Sequence, residues 1–181
     1  MEQISFDDLM KEREFSKPSP YDGLMSSKKR VLSLFSGAGG MDIGLEGGFN
    51  CHVRSINTDV NPDWIKENRG EWVTVSDTGF ETVFANDIRP DAKAAWVSYF
   101  ENRLPNANDI YRLESIVDLV KRHNAGEEIF PKEIDIVTGG FPCQDFSVAG
   151  KRQGFNSSKS HDGKTELDSD EPTIENRGQL Y

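Results

Sequence analysis

Residues 134–150 read IDIVTGGFPCQDFSVAG, and the fold follows from how this stretch is taken. Ile134, Ile136 and Val137 form a short apolar run rich in β-branched side chains, the pattern of a buried strand. Gly139 and Gly140 break that run, Pro142 stiffens the turn, and Cys143 follows at once. A cysteine just beyond the carboxyl end of a strand sits where open α/β sheets gather their chemistry. The competing reading is a buried structural thiol, because free cysteine is usually a small hydrophobe.

Upstream, residues 31–35 read as the first strand, and Ser36-Gly37-Ala38-Gly39-Gly40 as a tight turn into a helix bearing Met41 and Leu45. Glycines let a backbone approach a ligand closely and offer N–H groups at a helix start. The third glycine of the dinucleotide fingerprint is missing, since Asp42 holds its place, which counts against a nicotinamide oxidoreductase.

Three ordered motifs then resemble the DNA (cytosine-5) methyltransferase family. GGFPCQDFSVAGKRQG (139–154) is similar to its nucleophile motif, VLSLFSGAGGMDIGLEGGF (31–49) to its first cofactor motif, and NRGQLY (176–181) to the helix after its catalytic loop. The resemblance implies an α/β fold of the S-adenosylmethionine-dependent, Rossmann-like kind, with a partial parallel sheet around the 31–35 strand. It covers most of residues 31–181 but only the amino-terminal half of such an enzyme, about four strands of a sheet that runs to seven in the family.

The activity implied is transfer of a methyl group from S-adenosylmethionine to cytosine C5 in double-stranded DNA, with Cys143 as nucleophile. Implied cofactor contacts are Phe35, Ser36, Gly37, Gly39, Gly40, Ile116, Pro142 and Leu180, although Phe35 is equally compatible with plain core packing. Gln144, Ser147, Lys151 and Arg152 are the implied DNA contacts. The family's Glu-Asn-Val motif does not occur, Glu175-Asn176-Arg177 being no match, and its later arginine motif and target-recognition domain are not found either. A complementing carboxyl-terminal chain is therefore an expected partner. An inactive fragment that only binds another protein, or a tRNA cytosine methyltransferase with the same motifs, are the rival readings.

Two candidate strands run to an acid and then proline, HVRSINTDVNP (52–62) and FETVFANDIRP (80–90). A ribose-binding carboxylate is expected about 20 residues past the glycine turn, and by that spacing Asp59 is favoured. The resemblance favours Asp87, because Ala85-Asn86-Asp87-Ile88 matches the family's small-Asn-acid-Ile pattern; we take Asp87 for the ribose and Ile88 for the adenine. Residues 51–79 are then an insertion, with Trp64 and Trp72 covering the sheet. Pro90 starts a helix with Ala92, Ala95, Trp96 and Tyr99 on one face. Residues 106–108 read as loop and 110–113 as a third strand. Ser115-x-x-Asp118 opens a helix bearing Ile116, Leu119, Val120 and His123. Where the family has an acid facing the adenine amino group before isoleucine, this chain has Ser115 before Ile116, so Ser115 is either a cofactor contact or only a helix cap.

Composition sets the limits. At 181 residues one core is expected, with a polar extension over 1–29, in which Ser5 caps a short helix, and a partial catalytic domain over 30–181. Residues 151–175 are polar without apolar periodicity, the pattern of a mobile active-site loop. A net charge of −10 argues against stand-alone DNA binding, which needs Lys and Arg on the phosphates. Two cysteines make no disulfide framework, three histidines at 52, 123 and 161 make no metal-ligand spacing, and no membrane or signal segment is read, so a cytoplasmic, nucleoid-associated protein without a metal is expected.

Overall fold

Val31, Leu32 and Ser33 are almost completely buried in β1 (Lys29–Leu34), the centre of the molecule. The computed structural model describes residues 28–143, 146, 154–162, 164, 176, 177 and 180. The expected extension with its Ser5 cap, and all four expected DNA contacts (Gln144, Ser147, Lys151 and Arg152), lie outside the described residues.

After β1 come α1 (Gly40–Glu46), β2 (Asn50–His52), β3 (Ile65–Arg69), β4 (Trp72–Val75), β5 (Phe80–Asp87), α2 (Pro90–Phe100), α3 (Ala107–Ile110), β6 (Tyr111–Leu113), α4 (Ile116–Asn124) and β7 (Ile136–Gly139). The main sheet has the order β6-β5-β1-β7, all neighbours parallel, with Val31 opposite Thr82 on one side and Ile136 on the other. This is the α/β architecture with a parallel sheet that the sequence implies.

Because side chains alternate along a strand, each face of the sheet collects its own core. On one face Ala85 packs with Trp96 and Phe100 of α2, with Leu104, Ala107 and Tyr111 completing the cluster. On the other, Leu32 and Phe84 meet Leu119 of α4 and Ile129. Along α2 the buried stripe is Ala92, Trp96 and Phe100, while Ala95, expected inside, is exposed. Trp96 stacks on Phe100 at 4.2 Å between ring centres, and the indole N–H donates to buried Asp42 of α1 at 2.7 Å. Losing such an aromatic from a core costs about 3–5 kcal/mol.

Three readings of the chain are corrected. Residues 106–113 divide differently: the N–H groups of Asp109 and Ile110 donate to Asn106 O, closing one helical turn over Ala107–Ile110 and leaving only Tyr111–Leu113 as strand. The extended reading of 52–62 fails beyond His52. There His52 Nδ1, Asn57 Oδ1 and Asn61 Oδ1 each accept the backbone N–H two residues on, a series of local turns that bends the chain away from any ladder. Residues 50–75 instead build a separate antiparallel sheet in the order β2-β4-β3, with Gly70 at φ +83° turning β3 into β4. Trp64 and Trp72 belong to this region and are 42% and 56% exposed, so they do not cover the main sheet.

Candidate functional site

The carboxyl ends of four parallel strands meet at one edge of the molecule, and the chain leaves each strand differently. At the end of β1, Phe35 adopts φ +53°, a left-handed conformation uncommon for a bulky residue, and this turns the chain off the sheet. Ser36 ties that turn to β5: its N–H donates to Asn86 O at 2.8 Å, and its hydroxyl accepts from Asn86 N at 3.1 Å. Gly37 N donates to Asp87 Oδ2 at 3.0 Å, and Tyr111 Oη donates to Gly37 O at 2.9 Å. Burial, with the Asp87 carboxylate second, pushes the Tyr111 hydroxyl pKa up, so it remains a donor.

Asp87 is therefore held by the glycine turn on one oxygen and by Arg89 N (3.1 Å) on the other. Each oxygen keeps lone-pair capacity for a further donor. Asn86, fully buried, donates through Nδ2 to Glu114 O at 2.7 Å and to Arg112 O at 3.3 Å, which fixes the turn between β6 and α4. In that turn Ser115 caps α4 by accepting from Val117 N at 3.3 Å.

These turns enclose a cavity of about 290 Å³. Phe35 comes to it just after β1, Asn86, Asp87, Ile88 and Arg89 from the end of β5 and the turn beyond it, and Ser115 and Ile116 from the cap and first residue of α4. Gly140 and Pro142 line it beyond β7, and His161, Arg177 and Leu180 from the distal segment. Of the expected cofactor contacts, Phe35, Asp87, Ile88, Ser115, Ile116, Pro142 and Leu180 are thus brought together. Ser36, Gly37, Gly39 and Gly40 are not lining residues. Ser36 and Gly37 act through Asn86 and Asp87, while Gly39 answers to packing: a Cβ there would come within 2.6 Å of the Trp96 ring. Cys143, an exposed free thiol, follows Pro142 one residue past the cavity wall. Asp59 lies in the exposed turns of residues 53–64, away from the cavity.

Beneath the turn, Asp42 accepts from Ser33 Oγ at 2.6 Å as well as from Trp96. Burial raises the Asp42 pKa, with those two hydrogen bonds opposing. This carboxylate sits where the dinucleotide fingerprint has its third glycine, and it braces α1 against α2.

Sequence reasoning missed Asn86, Arg89, Gly140, His161 and Arg177. Asn86, Arg89 and Gly140 lie close to expected residues in recognised motifs, and Arg177 lies in the NRGQLY motif that supplied Leu180, so proximity could have found them. His161 carries no such signal; it and Arg177 come from the distal segment. They reach the cavity because Ser160 and Asn176 form an antiparallel bridge, Arg177 N donates to Lys159 O at 2.9 Å, and Asn176 and Ser157 are completely buried.

The C-5 cytosine-specific DNA methylase profile matches residues 70–164. Type II methyltransferase M.BspRI of Lysinibacillus sphaericus is 35% identical over 127 residues, 70% of this chain and 26% of the relative. Type II methyltransferase M.Bsp6I of Bacillus sp. (strain RFL6) is 32% identical over 134 residues, 74% of this chain and 29% of the relative. The chain thus spans about a quarter of the length of these curated relatives. No solved structure matches it. With the profile spanning more than half of its residues, from β4 through β7 and past Cys143, the chain belongs to the C-5 cytosine-specific DNA methylase family.

Proposed function

We propose that this chain carries the cofactor-binding and nucleophile parts of a DNA cytosine-5 methyltransferase, and that a complementing carboxyl-terminal half completes it. The observation that carries the reading is one crevice with Asp87 between two apolar walls and Cys143 at its rim. Donor chemistry fits S-adenosylmethionine: Asp87 has lone pairs for a ribose diol, Ile88 and Ile116 offer flat apolar contact to adenine, and Phe35, Pro142 and Leu180 shield the remainder. When bound, this cofactor supplies a methyl group on a sulfonium, an electrophile for carbon.

Cytosine C5 is a poor nucleophile until something adds across the ring. As thiolate, Cys143 Sγ forms a bond to C6, and the C5–C6 π electrons become available at C5, where the methyl group is accepted. Loss of the C5 proton to a base then re-forms the double bond and expels the thiolate. Cytosine must leave the stack to reach Sγ, and the shared crevice turns an encounter of two reactants into a local event. With a net charge of −10, the chain needs cationic surface from the other half to hold duplex DNA, Lys151 and Arg152 being its own contribution.

The test is trapping. Duplex DNA with 5-fluorocytosine in the target site is incubated with the chain, the complementing half and S-adenosylmethionine. A covalent adduct located at Cys143 by peptide mass is expected, because fluorine cannot leave as a proton does. Methyl transfer that survives Cys143→Ala removes the assignment.

A further inference from the structure

His161 lies 46 residues from Ser115 in the chain, yet its Nδ1 is 2.6 Å from Ser115 Oγ. The imidazole is only 11% exposed, lines the cavity, and turns Nε2 towards Asp118 Oδ1 of α4 at 3.9 Å. A proton on Nε2, the nitrogen facing that carboxylate, leaves Nδ1 to accept from the serine hydroxyl. Ser115 Oγ already accepts from Val117 N as the cap of α4. Its proton is then committed to His161, so at this corner of the cavity the serine hydroxyl is spent and the imidazole presents its ring surface to a ligand.

We propose that His161 is a ligand-contacting residue of the cofactor cavity, with its ring closing the nucleoside side next to Ile116. The proposal deepens the cofactor reading above and rests on it. Two observations support it beyond the hydrogen bond. The segment that carries His161 is anchored: Ser157 and Ser160 are buried, Asn176 donates through Nδ2 to Ser157 O, and Asp162 accepts from Ser160 Oγ at 2.6 Å. The wall formed by Ile88 and Ile116 is apolar, and a planar imidazole beside it suits the heteroaromatic base of a nucleoside better than a charged side chain does. The carboxylate of Asp87 lies in the same cavity, so base and diol are addressed from different strands.

The experiment uses the 181-residue chain. Wild type, His161→Ala and His161→Asn are titrated calorimetrically with S-adenosylhomocysteine and with adenosine. His161→Ala and His161→Asn should both bind about tenfold more weakly, the equivalent of the ring's lost contact, although the Asn amide oxygen can take the place of Nδ1 opposite Ser115. A histidine that only anchors the segment would be rescued by asparagine, so wild-type affinity in His161→Asn, like equal binding by wild type and His161→Ala, overturns the proposal. Hydrogen exchange on the ligand-free proteins is followed in parallel. Residues 154–162 should exchange faster in His161→Ala, with β1 and β5 protected as in wild type; unchanged exchange across 154–162 overturns the contact with Ser115. If wild type binds neither ligand while that exchange difference stands, it is the cofactor reading that has failed and the ligand contact falls with it.

Discussion

β1 has two neighbours, and they could hardly be treated more differently. On the β5 side the backbone is paired over five residues, a third strand β6 follows, and Asn86, Ser36 and Tyr111 lock the turns together. On the β7 side, among the described residues, the ladder ends: β7 pairs with β1 alone, Val137 is 64% exposed, and Phe141 and Cys143 are solvent-exposed. The difference is between a flank finished by hydrogen bonds and packing and one left with an open edge. Asp87 lies on the first, and Cys143 beyond the second.

The largest effect should come from the finished side. Trp96→Ala removes the ring that stacks on Phe100 and bonds Asp42, and should lose about 3–5 kcal/mol in urea unfolding. Retention of stability within the range of a surface change would mean that the β5 flank is not the core of this molecule.

Next is the carboxylate pair. Asp87→Ala should weaken S-adenosylmethionine binding by about 1–3 kcal/mol, as expected for hydrogen bonds to a charged group, while Asp59→Ala leaves calorimetric affinity unchanged. The reverse pattern would move the nucleoside site out of the β1–β5 crevice altogether.

A subtler effect concerns Asp42. Its native pKa is raised by burial, so the folded state favours the protonated form. The stabilisation this gives is complete below the ordinary carboxylate pKa and is lost as pH rises through the higher native value. An asparagine in its place would not titrate. The stability of Asp42→Asn minus that of wild type should therefore increase with pH across the acidic range, in urea melts at a series of pH values. A flat difference would mean that the carboxylate is not desolvated.

The smallest change in stability belongs to the open flank. Val137→Lys on the exposed edge strand should alter unfolding by no more than about 0.5 kcal/mol. It should nevertheless suppress self-association seen by sedimentation, since unpaired edges with apolar side chains invite pairing and a charge discourages it. Wild type that sediments as a monomer at all concentrations would show that the β7 edge is satisfied in some other way, and would narrow the contrast between the flanks.

Local pattern made much of this legible. β1, the glycine turn, β5 running to Asp87, α2 after Pro90, Ser115 as a cap and β7 before Cys143 all follow from periodicity and from glycine and proline, which act within a few residues of themselves. The 52–62 stretch misled because β-branched residues there are outweighed by His52, Asn57 and Asn61, whose side chains capture the backbone locally. Isolated alternation cannot register that competition.

What the chain alone determined, then, is that β1, β5, β7, α2 and α4 form and which residues stand at the ends of those strands, because these depend on side-chain pattern and backbone propensity. Tertiary structure alone decided the order β6-β5-β1-β7, the separate sheet of residues 50–75, the packing demand on Gly39 and the meeting of His161 with Ser115. Each joins groups far apart in the chain, and whether they meet depends on the burial of Trp96, Phe84 and Leu119 between layers. That free energy belongs to the assembled core and to no single stretch of sequence.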